Sequence, residues 1–426
     1  MATITLSSRP RVYELPSYSL TGDLLGYLRC GLQYRYTRIG KMPSRAPVQL
    51  WFGNFIHGAL DEGFRVYDQE RRSGKSIDDS IAAINVDSVI LAIESRLEAQ
   101  GLLAWEPWLK TLGYARARVG LTDLAKVLFP LIHLSEVRLT GARELKPLPA
   151  SLAFREAERY EMVGVIDVVT DIELSRPEVV GNPIVALVQQ CLGQVPNHFE
   201  VIIDYKGSRR PALPTGAPKP KHPSLWDQYE WQVLTYADLR GRQPDSHPVK
   251  AGLILYVNEL LPLATDLGDW RNEVKAGTTD IVASDADLRA WQGTCRGQRE
   301  KAAAILDAAV GKDSAAAMAA SKELLPSPVP WDLRLRRALR IVPVDEPKTG
   351  KSRIPDALQS FDEVVEWIET CRGKEFHGKT IMASWDRNCT DPSTCTACDA
   401  RTWCPDFPSE TAPRLPAYKS PSTSSS

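Results

Sequence analysis

The feature that most constrains this chain is a short apolar run that ends in two opposite charges, residues 201–206 (VIIDYK). β-Branched residues that stop at a glycine, here Gly207, are typical of a buried strand. Because side chains alternate along a strand, we predict that Asp204 and Lys206 emerge on the same face. Burying a carboxylate and an ammonium is costly unless they are paired or bind a metal ion. An edge strand whose charged end faces water is the alternative interpretation of this stretch alone.

The composition narrows the class of protein. The chain has 426 residues, which is long enough for two or three domains or for one large domain with insertions. Its residues are 43% hydrophobic and 25% charged, as in an ordinary globular protein. The net charge of −1 indicates that any surface for nucleic acid is local. The sequence contains no run of about 20 apolar residues and no signal peptide. We therefore expect a cytoplasmic protein without a membrane partner.

Hydrophobic periodicity predicts the organisation of the chain. A helical region is expected over residues 1–134, a core with a mixed sheet over 135–258 and a helical insertion over 259–385. A cysteine-rich segment, 386–404, and a Pro/Ser/Thr-rich tail, 405–426, follow. The composition of the tail predicts disorder.

Three strands and a helix are expected inside the core. The period changes from helical to two at Glu136, and residues 137–140, 153–158 and 162–172 are predicted to be strands of an antiparallel meander. The third strand contains Asp167, a buried acid that needs a partner or a cation.

A predicted helix over residues 226–240 aligns Gln228, Gln232 and Tyr236 on one face, because they follow one another at steps of four. Such groups can contact a phosphate or a metal-bound water, or can form a surface stripe.

Two segments are rich in basic residues. Residues 207–226 hold five prolines, Arg209, Arg210, Lys219 and Lys221 but no acid, and are either a linker or a mobile basic flap. Four arginines crowd into the second segment and could contact phosphates or form a solvated face: Arg334, Arg336, Arg337 and Arg340.

The acids and the lysine together indicate a hydrolytic chemistry. Asp167 and Asp204 at strand ends can hold Mg²⁺ or Mn²⁺, which prefer oxygen ligands. Lys206 can orient the attacking water and stabilise the negative charge of a phosphoryl transition state. These are the requirements of phosphodiester hydrolysis.

The order of four motifs resembles the RecB-like branch of the PD-(D/E)XK nucleases: Gly53-x-x-x-His57, Gly164-x-x-Asp167, Asp204-x-Lys206 and Gln232-x-x-x-Tyr236. An early segment, residues 30–36 (CGLQYRY), resembles the opening helix of that branch. The resemblance implies a restriction-endonuclease-like α/β core with a mixed central sheet flanked by helices. It also implies a role for each motif residue: His57, Asp167 and Asp204 as metal ligands, Lys206 on the water, and Gln232 and Tyr236 at the metal shell and the DNA phosphates.

The cysteines extend the resemblance to the iron–sulfur members of this branch, such as AddB-type and CRISPR-associated exonucleases. There, three C-terminal cysteines join an N-terminal one to hold a [4Fe–4S] cluster, which implies Cys395, Cys398 and Cys404 with Cys30 as the ligands and a latch between the chain ends. An alternative remains open, since Cys389 with the other three tail cysteines could hold a structural Zn²⁺.

The function that the resemblance implies is a metal-dependent DNA nuclease, an exonuclease or end-processing enzyme for single strands or flaps, in DNA repair, recombination or antiviral defence. The alternative is a DNA-binding or structural module, or a nuclease subunit that is active only in a complex with a helicase. The sequence lacks a Walker A motif, so we do not expect it to translocate on DNA by itself.

Overall fold

The structure, a computed structural model, describes residues 14–42, 48–214, 223–280, 283–309, 314–387, 392–401 and 404. The chain divides into two units. The terminal unit consists of Met1–Arg45, Glu144–Tyr160 and Asp362–Ser426, so it combines both ends of the chain with an internal segment. The central unit consists of Ala46–Arg143 and Glu161–Phe361.

The strands are β1 (Ser17–Ser19), β2 (Ile132–Glu144), β3 (Arg159–Thr170), β4 (Ile172–Glu173), β5 (His198–Lys206), β6 (Val249–Tyr256) and β7 (Leu339–Pro343). The helices are α1 (Leu25–Arg29), α2 (Gly31–Tyr34), α3 (Val48–Arg72), α4 (Ile77–Ala82), α5 (Val86–Ala99), α6 (Pro107–Val119), α7 (Ala125–Leu128), α8 (Pro183–Leu192), α9 (Leu225–Gly241), α10 (Ala264–Ala276), α11 (Asp285–Ala308), α12 (Ser314–Glu323), α13 (Trp331–Ala338), α14 (Ile354–Phe376), α15 (Ile381–Ser384) and α16 (Pro392–Ala397). Single π-helical or 3₁₀ turns occupy Leu20–Leu24, Arg35–Ile39, Gly120–Leu124, Phe129–Leu131 and Val257–Leu260. In the described ranges, no helix combines the length and the apolar character needed to cross a membrane.

The predicted α/β class is confirmed, because the central unit contains a mixed sheet flanked by helices. Its strand order is β3-β5-β6-β7, with β2 paired to β3 and β4 paired to β5. β5 and β6 are parallel and are connected through α9, whereas β3 with β5 and β6 with β7 are antiparallel. The parallel pair places the carboxyl ends of both strands at one edge of the sheet.

The side chains of β5 point alternately to the two faces of the sheet, and each face packs against a different layer. Val201, Ile203 and Tyr205 belong to the main apolar core, to which α3, α5 and α6 also contribute. The intervening side chains, Asp204 and Lys206 among them, face α9, where both contact Gln232. The buried strand and the shared face of its two charged residues are therefore as predicted.

Two glycines set the distance between α9 and the sheet. A Cβ atom at Gly252 in β6 would lie 2.4 Å from Cβ of Val233, and one at Gly164 in β3 would lie 2.7 Å from Cε1 of Tyr236. Because both contacts are far below van der Waals distance, the helix can lie at this height only over glycine. The glycine of the Gly164-x-x-Asp167 motif thus has a packing role in the structure.

The terminal unit depends on contacts between α14 and segments distant in sequence. Glu375 accepts hydrogen bonds from Nε and Nη2 of Arg35 at 2.7 and 2.6 Å and from the indole of Trp385 at 2.8 Å. Arg155 lies 2.9 Å from Glu369. These buried charges are paired, as burial in an apolar environment requires.

The predicted strand over residues 153–158 is wrong. This segment has no regular structure, because its side chains are engaged by α14: Phe154 packs at 5.8 Å on Phe376 and Arg155 pairs with Glu369. The predicted strand over residues 162–172 is divided at Asp171, where β3 ends and β4 begins.

We expect Gly252→Ala to destabilise the protein by about 1–3 kcal/mol, since the added methyl group must displace α9 or distort β6. Gly293→Ala in α11 is the matched control, because a Cβ atom there meets nothing within 4 Å. The control should be neutral or stabilising by up to about 1 kcal/mol. Urea denaturation measures both, and equal stabilities for the two variants would contradict the packing argument.

The stability of the terminal unit should fall in acid. Burial raises the pKa of Glu375, but the hydrogen bonds from Arg35 and Trp385 outweigh it and leave the pKa below its ordinary value of 4.5. A lowered carboxyl pKa contributes stability that is present above pH 4.5 and is lost as the pH falls through the folded-state value. Glu375→Gln should therefore destabilise by about 1–3 kcal/mol at pH 7 and weaken the pH dependence of melting between pH 5 and about 3. Glu366→Gln, which removes only the exposed partner of Lys146, should change neither.

Candidate active site

The charged pair at the carboxyl end of β5 is buried and held by a glutamine. Asp204 is only 3% exposed, and its Oδ2 lies 2.5 Å from Nζ of Lys206. Gln232 in α9 donates from Nε2 to Oδ1 of Asp204 at 2.7 Å and accepts from Lys206 Nζ at 2.9 Å. The amide thus satisfies both charges at once, which the low dielectric of a buried site demands.

Two aromatic side chains complete this arrangement. The hydroxyl of Tyr236 lies 3.1 Å from Nε2 of Gln232, one turn away on the same helix face. The ammonium of Lys206 lies 4.6 Å from the centre of the Tyr229 ring, a favourable cation–π distance. Gln232 and Tyr236 therefore meet the strand residues where the sequence predicted. Gln228 does not join them, because its amide donates to the carbonyl of Pro223 at 2.8 Å.

Asp167 lies beside Asp204 on the neighbouring strand. β3 and β5 pair Val168 with Ile203, and Asp167 and Asp204 are the next residues of the two strands beyond this last pair. Asp167 Oδ2 accepts the backbone N–H of Tyr205 at 2.7 Å. The two carboxylates of the predicted metal site are thus brought together by strand pairing.

His57 reaches the same place from α3. Its Nε2 lies 2.9 Å from the carbonyl of Tyr205, which can only accept, so Nε2 carries the proton and Nδ1 faces Asp167 Oδ1 at 3.5 Å. α3 packs closely against the end of β5, and glycine at position 207 leaves room for it. A Cβ atom at Gly207 would lie only 3.3 Å from Cα of Gly53. A backbone carbonyl that orients one ring nitrogen and leaves the other for a ligand is the usual support of a metal-binding histidine.

The electrostatics of the site favour a bound cation. Burial raises the pKa of Asp204; Lys206 opposes this shift and the charge of Asp167 adds to it. Burial also works against the charged forms of His57 and Lys206, yet Asp167 raises the pKa of His57 to about 9 and Asp204 raises that of Lys206. Without a metal ion, protonated His57 and Lys206 balance the carboxylates.

Glu136 belongs to this site and was missed in the sequence. One donor atom each of His57, Glu136 and Asp167 lies within 4.8 Å of the others. Glu136 in β2 has φ +52°, a left-handed conformation that is costly for a residue with a Cβ atom and is concentrated at functional sites. In the sequence, Glu136 is an acid at the point where the hydrophobic period changes from that of a helix to that of a strand. The prediction took it only as the boundary of the sheet.

The donor set fits Mg²⁺ or Mn²⁺. His57, Glu136 and Asp167 offer one imidazole nitrogen and two carboxylates. Asp204 is not in this group, and its two oxygens contact Gln232 and Lys206. Oxygen-rich ligands with one imidazole suit these ions and, in particular, Mn²⁺. Glu136 thus extends the predicted ligand set of His57, Asp167 and Asp204.

The predicted basic surfaces are engaged internally. Arg334, Arg337 and Arg340 are buried, so neither a solvated face nor a phosphate contact describes them. Arg334 donates to the carbonyl of Leu260 at 2.6 Å, and the other two pair with acids: Arg337 with Glu259 and Glu273, and Arg340 with Glu230. Arg336 alone of the four is exposed.

The segment over residues 207–226 is described in part. Arg209 contacts Asp269 and Glu273, and Arg210 lies 2.7 Å from Asp280. Lys219 and Lys221 lie outside the described residues. The arginines therefore fasten the start of this segment to α10 and the turn after it.

The four cysteines of the predicted cluster all belong to the terminal unit. α1 ends at Arg29 and α2 begins at Gly31, because Cys30 between them has extended backbone angles. The N–H of Leu32 donates to the carbonyl of Asp386 at 2.9 Å. Cys395, Cys398 and Cys404 follow one another through two turns, closed by hydrogen bonds from Cys398 N to Cys395 O and from Cys404 N to Arg401 O at 3.2 Å. Cys389 lies outside the described residues.

Neither the models of known protein families nor the curated proteins match this sequence. The functional argument therefore depends on the residues and their geometry.

We expect Glu136→Gln to weaken Mn²⁺ binding about ten-fold, because the amide keeps the size of the side chain and loses its charge. Calorimetric titration would follow the component of Mn²⁺ binding that His57→Gln abolishes. Glu144→Gln, at an exposed position of the same strand, is the control and should bind as wild type does. Unchanged binding by Glu136→Gln would remove this residue from the site.

Proposed function

We propose that the chain is a metal-dependent DNA nuclease, with a restriction-endonuclease-like core in the central unit. The observation that supports this best is the convergence of Asp167, Asp204 and Lys206 at one edge of the sheet, with His57 facing Asp167. Two carboxylates and an ammonium are more than a DNA-binding surface requires, and together they are the groups that phosphodiester hydrolysis requires.

His57, Asp167 and Asp204 would hold a Mg²⁺ or Mn²⁺ ion, with Glu136 as a further ligand. When bound, such an ion supplies Lewis-acid stabilisation of the phosphate charge and lowers the pKa of a coordinated water. The residues of the chain provide the rest. Because the pKa of Lys206 is raised, its ammonium is charged at neutral pH and donates hydrogen bonds. It is thus placed to orient the attacking water and to stabilise the developing negative charge.

Gln232 has a positioning role in this proposal. It holds the ammonium of Lys206 with its oxygen and the carboxylate of Asp204 with its nitrogen, so both point to the same edge of the sheet. Tyr236, which contacts the same amide nitrogen, fixes the glutamine rotamer. In the free protein Lys206 is held by Asp204, and binding of a cation beside Asp204 would loosen that contact.

The terminal unit would contribute the iron–sulfur latch. Four thiolates are the ligand set of a [4Fe–4S] cluster, and the candidates Cys30, Cys395, Cys398 and Cys404 come from the two ends of the chain. A bound cluster would cross-link these ends and stabilise the unit by closing a long loop. The zinc alternative depends on Cys389 instead of Cys30 and would leave the ends unlinked.

Cleavage of end-labelled single- and double-stranded DNA in Mn²⁺, Mg²⁺ or EDTA tests the proposal, with protein purified without oxygen. We expect cutting that depends on the metal and falls at least about 1,000-fold in Asp204→Asn and in Lys206→Met. Asp204→Asn should also bind Mn²⁺ more weakly, whereas Lys206→Met should keep the metal and lose only the chemistry. Lys250 lies in β6, next to β5, and pairs with Asp345. Lys250→Met is the control and should cut as wild type does.

Cutting by Asp204→Asn at the wild-type rate would exclude this active site. A folded wild-type protein that binds DNA and Mn²⁺ without cutting would favour the alternative, a DNA-binding module or a nuclease subunit that needs a helicase partner. Recovery of an ATPase with the tagged protein from native extract would then distinguish the subunit from the module.

A further inference from the structure

Two of the six histidines lie together at the edge of the sheet opposite the candidate active site. His198 is the first residue of β5, and His247 stands two residues before β6 begins. Asp171 lies at the corner between β3 and β4, next to Glu173, which pairs with His198. At about 3.3 Å per residue, this cluster is about 20 Å along β5 from Asp204.

The side chains converge on a small volume. One donor atom each of Asp171, His198 and His247 lies within 4.8 Å of the others. Asp171 is hydrogen-bonded to Nε2 of His198, and the rings of His198 and His247 overlap with centroids 3.5 Å apart. Two imidazole rings and one carboxylate therefore face the same small volume.

The groups around the cluster hold its members in place. Nη1 of Arg176 lies 3.4 Å from Oδ2 of Asp171, and the same guanidinium also contacts the carbonyl of Asp171. The backbone N–H of His247 donates to Glu200 at 3.2 Å, and Glu200 is held by Arg240 through two hydrogen bonds of 2.7 and 2.8 Å. Arg176 thus orients the carboxylate of Asp171, as is usual for a ligating carboxylate, and Glu200 with Arg240 holds the backbone of His247.

The cluster offers two imidazoles and one carboxylate, whereas the group at the candidate active site offers one imidazole and two carboxylates. Imidazoles with one carboxylate select Zn²⁺ and its first-row neighbours, whereas Mg²⁺ prefers oxygen.

We propose that Asp171, His198 and His247 form a second metal site, for Zn²⁺ or a neighbouring first-row transition ion, that is separate from the proposed nuclease centre. The site joins the beginnings of the parallel strands β5 and β6 to the corner of the antiparallel strands β3 and β4. Its role is structural, since it fixes the edge of the sheet farthest from Asp204. It does not depend on the proposed nuclease function.

Equilibrium dialysis against Zn²⁺, with metal analysis of the full-length protein, tests the proposal. The double variant His198→Gln/His247→Gln should bind one Zn²⁺ per chain fewer than wild type. Two control variants leave this cluster unchanged. His57→Gln alters the candidate active site, and His377→Gln alters a histidine of the terminal unit whose ring contacts the carbonyl of Ala153. Both should retain the Zn²⁺ that the double variant loses, whatever the cysteines bind in all four proteins.

A second readout covers a double variant that folds poorly. His247 is exposed, so His247→Gln alone should fold and still weaken this Zn²⁺ at least about ten-fold. Arg176→Gln, which leaves every ligand in place, should weaken it about 10- to 100-fold. Zn²⁺ should raise the melting temperature of wild type and of His377→Gln by a few degrees and leave that of the double variant unchanged.

Equal Zn²⁺ stoichiometry and affinity in wild type and in the double variant would overturn the proposal. The cluster would then be a hydrogen-bonded charge network only. Loss of DNA cleavage in the double variant without loss of Zn²⁺ would equally contradict a structural metal at this edge. Because the readout is metal content, its result is independent of whether the protein cuts DNA.

Discussion

The close approach of α9 to the sheet is the constraint on which the candidate active site depends. Because Gly164 and Gly252 have no side chain, α9 can pack close to β3 and β6. At that distance Gln232 reaches both charged side chains of β5. A helix held one methyl group farther away would leave a carboxylate and an ammonium buried without their common partner. The cost of such groups is several kcal/mol each, so the packing and the chemistry impose the same requirement.

Strand pairing then accounts for the charge density of the site. The antiparallel pairing of β3 and β5 places Asp167 and Asp204 just beyond its last pair, Val168 and Ile203, and Glu136, which has a left-handed backbone conformation, lies close to His57 and Asp167. Like charges at this spacing stay ionised only when cations balance them. The pKa values of His57 and Lys206 are both raised, so these two side chains supply the balancing positive charge.

The parts of this structure that were predictable are those that local pattern determines. The β5 strand, the α9 helix and the meeting of Gln232 with Asp204 and Lys206 follow from periods of two and four along the chain. The rest depends on tertiary context. Residues 153–158 have the pattern of a strand, yet their side chains pack against α14. The arginines of α13 have the pattern of an exposed basic surface, yet Arg337 is paired with Glu259 inside the central unit. Glu136 was missed because its position depends on a backbone conformation that no composition rule encodes for glutamate.

The terminal unit has a consequence for the synthesis of the protein. Its three segments include Glu144–Tyr160 and Asp362–Ser426, so Arg35 emerges from the ribosome some 340 residues before its partner Glu375. The central unit, complete at Phe361, can fold while the last residues are still being added. Arg35 must therefore wait for its partner in α14 while the intervening residues are added, at about 5–20 residues per second. During that interval the sheet of the central unit can form, so the contacts between the two ends of the chain are among the last that the protein completes.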